Sequence, residues 1–169
     1  MKIFVAIFLA FICVWTVSAQ NNLRIGSPAP EFTATDLQGN SVALSELRGS
    51  VVVLTFWSTR CPICHEEFPK FNRVVKSFQG KNVKFLSLTN DNEAKVENYL
   101  RNNPLDSTIV PNSFGVMLQY ADHDKSGNVD IGFPAYFVVG TDGKIEYRGS
   151  GWDKTEPVAS TINRALSGL

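Results

Sequence analysis

Cys61 and Cys64, with Arg60 before them and His65 and Glu67 just behind, are the residues of this 169-residue chain best placed to do chemistry. They follow an unbroken apolar run, Val51–Trp57, and precede a helical pattern. A β-branched and aromatic run of that length reads as a strand buried on both faces. The two thiols therefore sit where a buried strand turns into a helix. Cys61 is expected at the helix N-cap, with Cys64 one turn inside. A helix N-terminus favours negative charge, so the Cys61 thiol should ionise more readily than a free one, and Arg60 and His65 could add positive charge. Thiolate is the attacking species, which makes Cys61 the nucleophile toward a partner disulfide. Cys64, shielded, would then attack the Cys61 sulfur and release the partner. That second step needs Cys64 deprotonated. Glu67, at i+3 from Cys64, lies on the face that could accept the proton. On spacing alone, an ordinary solvated helix carboxylate fits Glu67 equally well.

The surrounding elements have the periodicities needed to hold this stretch. Cys64, Phe68, Phe71, Val75 and Phe78 form one apolar face of a helix over 62–79, ended by Gly80. Pro62 suits the first helical position, whereas Pro69 removes an internal hydrogen bond and should kink the helix. Val83–Thr89 reads as a second inner strand, 93–103 as a helix, and Tyr136–Val139 as a further strand. The latter turns back at Asp142-Gly143 into 144–148, and an amphipathic helix over 155–169 follows. Upstream, Glu31–Thr35 and Ser41–Leu44 flank a turn cluster and read as a small hairpin, followed by a short helical turn over 44–49 stopped at Gly49. The stretch 104–132 is the least regular, with a short helix over 114–120 and a polar loop over 122–130. This order predicts an α/β sheet covered on both faces.

Lys2, the apolar run Ile3–Val17 and the small-x-small triplet Val17-Ser18-Ala19 have the form of an export signal over 1–19, leaving one domain over 20–169. The run is short for a membrane span, although an uncleaved segment would tether the protein to a membrane. Cys13 would be discarded with the signal. About 150 residues are enough for one cored domain. Lys+Arg and Asp+Glu both number 16, and no basic stripe alternates with aromatics, which disfavours nucleic acid as a partner. A Cys61–Cys64 bridge would close so short a loop that it constrains the unfolded chain little, which favours redox work over stapling.

The pattern Phe56-Trp57-x-x-x-Cys61-x-x-Cys64 followed by Glu67-Phe68-Pro69 resembles the thioredoxin superfamily. More narrowly it is similar to the TlpA/ResA-like exported thiol–disulfide oxidoreductases. The likeness extends to Ala29–Phe32, Pro69, the Phe133-Pro134 pair and the Asp142-Gly143 turn. It implies a thioredoxin-like three-layer α/β/α sandwich with an N-terminal β-hairpin extension and a central insertion. It also implies a cis Pro134 facing the cysteines and proton handling by Glu67. Phe133, Trp57 and Arg60 would contact the partner. Protein disulfides would be the substrates, an upstream thiol the electron donor, and a periplasmic or other extracytoplasmic compartment the location. The expected protein is a monomer without cofactor or metal. The chain departs from the pattern at Thr55, where thioredoxins proper carry a buried aspartate, and at Arg60, where tryptophan is common.

Five rival readings need weighing. Cys61-Pro62-Ile63-Cys64-His65 spells a haem-attachment signature, but the only other ligand candidates in the mature chain are His123 and Met117. Zinc would want four ligands from two clusters. Asp122–Asp130 resembles the front of a calcium loop, yet Phe133 stands where a bidentate glutamate belongs. A thiol peroxidase would place threonine where Ser58 stands and proline at Leu54. A binding module without turnover is the remaining class.

Overall fold

The computed structural model describes residues 23–124 and 126–168, so the export-signal reading of 1–19 and Cys13 lie outside the described residues. Strands β1 (Thr33–Thr35) and β2 (Ser41–Ala43) pair antiparallel around the Asp36–Asn40 turn. The Asp36 carboxylate fixes that turn by accepting the Gln38 and Asn40 N–H groups, an Asx arrangement. A 3₁₀ turn over Leu44–Leu47 then leads past Gly49, which adopts φ +83°, into β3 (Val51–Trp57).

Every residue of β3 is buried, as its unbroken apolar run dictates. Helix α1 (Pro62–Ser77) follows and runs unbroken through Pro69. Next come β4 (Val83–Thr89), α2 (Glu93–Leu100), β5 (Thr108–Val110) and α3 (Phe114–Tyr120). A ribbon of β6 (Asp122–His123) and β7 (Val129–Asp130) precedes β8 (Ala135–Val139), β9 (Ile145–Ser150) and α4 (Thr155–Ser167). The main sheet has the order β5-β4-β3-β8-β9. Strands β3, β4 and β5 are parallel, β8 runs antiparallel to β3, and β9 antiparallel to β8.

Two apolar layers cover this sheet. Val51 and Val53 point toward α1 and α4, where they meet Phe71, Val75, Val158 and Ile162. Val52, Leu54 and Phe56 point the other way, onto α3 and the N-terminal segment, meeting Phe32, Leu44, Val116 and Tyr120. This is the expected three-layer α/β/α sandwich. Each large apolar side chain so buried contributes roughly 1.5–3 kcal/mol.

Two sequence expectations change. The stretch 104–132 is largely woven into the fold: β5 is the sheet's edge strand and α3 closes a face, so the insertion proper narrows to the ribbon and its flanks. The 122–130 segment, expected as a loop, is that antiparallel ribbon, with Asp122 opposite Asp130. Its turn is organised by Asp124, whose carboxylate accepts the Ser126 and Asn128 N–H groups, while Asp122 pairs with Arg148. Asp122, Asp124 and Asp130, the three carboxylates that suggested a calcium loop, thus each accept a hydrogen bond from the chain itself.

Candidate active site

Strand β3 ends at Trp57, and the next four residues form the turn that delivers the cysteines. Asp91, at the end of β4, shapes this turn. Its Oδ2 accepts the Ser58 hydroxyl at 3.0 Å, the Thr59 N–H at 2.8 Å and the Thr89 hydroxyl at 3.3 Å. Burial opposes the charge on Asp91, but these donors outweigh it and hold the carboxyl below its usual range. The sequence reading missed Asp91. Its only sequence signal is an acid two residues after a strand threonine.

Cys61 is the N-cap of α1, as expected, and is joined to Cys64 in a disulfide with Cα atoms 5.3 Å apart. The Cys64 N–H donates to the Cys61 sulfur at 3.1 Å. A free N-terminal amide of the helix is therefore aimed at the sulfur that would carry negative charge, the arrangement that favours thiolate. Cys61 retains 8% of its surface and Cys64 none. This asymmetry separates an accessible sulfur from a shielded one.

Arg60 is exposed. His65 is also exposed; its Nε2 lies 3.1 Å from the Thr59 carbonyl oxygen, and its ring packs 5.0 Å from that of Tyr99. Trp57 differs from expectation. Placed among partner contacts by its resemblance, it is fully buried and shows no surface to a partner. It points into a cluster with Cys61, Cys64, Phe68, Val96 and Ile109, where it forms the wall behind the disulfide. Its alternation on β3 decides this, because the position turns toward α1 and not outward.

Glu67 is fully buried, so the solvated-carboxylate reading fails. Its Oε1 accepts Lys70 Nζ at 2.8 Å, and its Oε2 accepts the Asp153 N–H at 3.2 Å. Lys70 also donates to Asp153 Oδ1 at 2.7 Å. The Phe133–Pro134 peptide is cis. Phe133 is half-buried and packs against the cysteine cluster, while the Pro134 carbonyl accepts the Gly151 N–H at 2.9 Å. The β9–α4 loop, 151–154, thus touches both the cis-proline segment and the buried carboxylate. Between those contacts, Trp152 is 46% exposed. Lys70 was legible as an i+3 helix partner of Glu67. Nothing local marked Asp153, which reaches the site from 86 residues away.

Four buried polar atoms lack a hydrogen-bond partner among the described residues: Thr55 Oγ1, Trp57 Nε1, Tyr99 Oη and Tyr136 Oη. Trp57 and Tyr99 stand beside the cysteines, their rings 5.3 Å apart. Thr55 and Tyr136 are cross-strand partners on the face beneath α1. Burial, with the Glu67 charge adding to it, pushes the Tyr136 hydroxyl well above its ordinary range and keeps it protonated.

Comparison with known proteins agrees with this geometry. The profile of the AhpC/TSA family matches residues 25–148. The chain is 30% identical over 129 residues to the thiol-disulfide oxidoreductase ResA of Bacillus cereus, covering 76% of this chain and 70% of that one. The thioredoxin domain of a thiol-disulfide oxidoreductase from Bacteroides vulgatus superposes with a TM-score of 0.69 at 25% identity, covering 83% and 98% of the two chains. A thioredoxin-family thiol:disulfide interchange protein from Chlorobium tepidum shares the fold, with a TM-score of 0.70 at 21% identity over 86% and 99%.

Proposed function

Because this chain belongs to the AhpC/TSA family and is a ResA-like thiol–disulfide oxidoreductase, we propose that Cys61 is its attacking thiol, Cys64 its resolving thiol and Glu67 the acceptor of the Cys64 proton. The observation that carries this reading is the paired arrangement at the start of α1. An amide N–H is aimed at the more exposed sulfur, while the fully buried sulfur sits one turn from a fully buried carboxylate.

In the reductive direction, the Cys61 thiolate attacks one sulfur of a partner disulfide. A Cys61–partner disulfide forms and the other partner sulfur leaves as thiolate. Glu67 takes the Cys64 proton, and the Cys64 thiolate attacks Cys61. The mixed disulfide breaks, the partner leaves reduced, and Cys61–Cys64 is oxidised. Phe133 and the cis-Pro134 segment line the entry to Cys61, and Arg60 stands exposed beside it. Disulfide-containing proteins are the substrates, and an upstream thiol restores the dithiol. The signal-like segment 1–19 supports work outside the cytoplasm by a domain spanning 20–169.

Insulin reduction in the presence of a dithiol tests the reading. Wild-type protein should exceed the free dithiol, and Cys61→Ser should abolish the excess. Turnover no faster than free dithiol would leave a binding module. A reduction potential above about −150 mV would reverse the direction to oxidation. Peroxide reduction is not favoured, since the Ser58 hydroxyl, at the position of a peroxidase threonine, is committed to Asp91.

A further inference from the structure

Glu67 is held by two groups that the exchange chemistry has not so far used. Lys70 Nζ bridges Glu67 Oε1 and Asp153 Oδ1 at 2.8 and 2.7 Å, and the Asp153 N–H meets the other Glu67 oxygen. Both carboxylate oxygens are thereby fixed, one by a cation and one by a backbone donor. Asp153 reaches this position with φ +54°, in the left-handed region that non-glycine residues seldom occupy. The same loop is pinned two residues earlier by Gly151 on the Pro134 carbonyl. The β9–α4 loop is therefore fastened at both ends to the redox site, in a backbone conformation that asparagine and aspartate tolerate better than most residues.

The groups around Glu67 are unequal. Lys70 faces it from its own helix, Asp153 from the loop with Lys154 beyond, and Tyr136 from β8 with Tyr147 behind, while Cys64 lies one turn earlier on the same helix. Lys70 is the one cation in contact with the carboxylate among the described residues. Its hydrogen bonds to Asp153 and Glu67 hold its own proton more tightly than usual.

We propose that Lys70 and Asp153 are positioning residues for the resolving step: Lys70 holds the Glu67 carboxylate in place one turn from Cys64, and Asp153 holds Lys70 and Glu67 in register. This rests on the reading of Glu67 as the proton acceptor. It makes the resolving step depend on a three-residue unit joining α1 to the β9–α4 loop.

The two steps separate in a stopped-flow reaction of the reduced protein with excess 5,5′-dithiobis(2-nitrobenzoate). Cys61 attack releases the first thionitrobenzoate and leaves a Cys61–thionitrobenzoate disulfide. Cys64 attack on Cys61 then releases the second and closes Cys61–Cys64. Followed against pH, Lys70→Met should leave the first phase unchanged and displace the pH profile of the second phase, the effect of losing the opposite charge in contact with Glu67. Lys70→Arg should restore it. Asp153→Asn, which keeps the N–H and tolerates the positive φ, should move it less. Glu67→Gln should slow the second phase about 10²-fold. Adding Lys70→Met to Glu67→Gln should then change nothing further.

Failure of Glu67→Gln to slow the second phase would overturn the base reading itself. Slowing by Glu67→Gln with no shift in Lys70→Met would overturn the positioning role alone. Additive losses in the double variant would do the same, by assigning Lys70 a purely structural role.

Discussion

The two faces of the central sheet are built to different rules, and two tyrosines show it. Tyr120, on the α3 face, is buried and its hydroxyl donates to the Pro30 carbonyl at 2.8 Å. Tyr136, on the α1 face, is equally buried and its hydroxyl has no protein partner among the described residues. Around Tyr120 the packing is aromatic and aliphatic, with Phe56, Phe137 and Phe32 rings at 5.2, 5.0 and 6.5 Å. The opposite face contains Thr55, Tyr136 and Glu67 at full burial. Burying a polar group without a partner costs about 1–3 kcal/mol. One face therefore supplies cohesion, and the other gives up some of it to keep groups that can bind and move protons.

The contrast can be broken most forcefully on the cohesive face. Phe56→Ala should cost about 3–5 kcal/mol by urea denaturation, since Phe56 is fully buried between Tyr120 and Phe137. The rate of Cys61 attack on a small disulfide should be nearly unchanged in the protein that remains folded. A large loss of that rate would show that the faces are not separable.

A smaller effect is expected at Asp91, on the chemistry side. Asp91→Asn weakens three hydrogen bonds at once and should cost about 1–3 kcal/mol at neutral pH. The sign of its pH dependence follows from linkage. Asp91 is held below its ordinary value of 3.8, so its contribution is complete above that value and is lost as pH falls through the lower folded value. The stability gap between wild type and Asp91→Asn should therefore close only below about pH 4. A gap already closed at pH 6 would contradict the ionised, hydrogen-bonded carboxylate.

The tyrosines sharpen the comparison most finely. Tyr120→Phe should lose about 1 kcal/mol, the net worth of one satisfied hydrogen bond. Tyr136→Phe should be neutral or stabilising by up to about 1 kcal/mol, because an unpartnered hydroxyl is removed. Thermal unfolding of the two variants side by side decides it. Equal losses would mean that the two faces treat a buried hydroxyl alike.

Much of this was legible in residue order. Val51–Trp57 reads as a doubly buried strand and the 4-3-4-3 apolar spacing behind Cys64 as a helix with one inward face, and the structure has both. Cys61 at the N-cap follows from where those two patterns meet, and Pro62 at the first helical position agrees with it. The 104–132 stretch was obscure because β5 has three residues flanked by Pro104 and Pro111, too short to establish a period. Trp57, named as a partner contact, closes a strand already read as buried on both faces, and its place agrees with the strand and not with the contact.

The chain order by itself determined the strand–thiol–helix junction and the α/β class, since these depend on local periodicity and on helix ends. Tertiary structure alone decided the environment of Glu67. Its burial, its cation and its backbone donor come from a helix face, a sheet strand and a loop 86 residues away. Spacing gave a solvated carboxylate equal standing with a proton acceptor. The packing of α1, β8 and the β9–α4 loop around it removed water from that carboxylate, because exclusion of solvent is a property of packed surfaces and is not encoded at any one position.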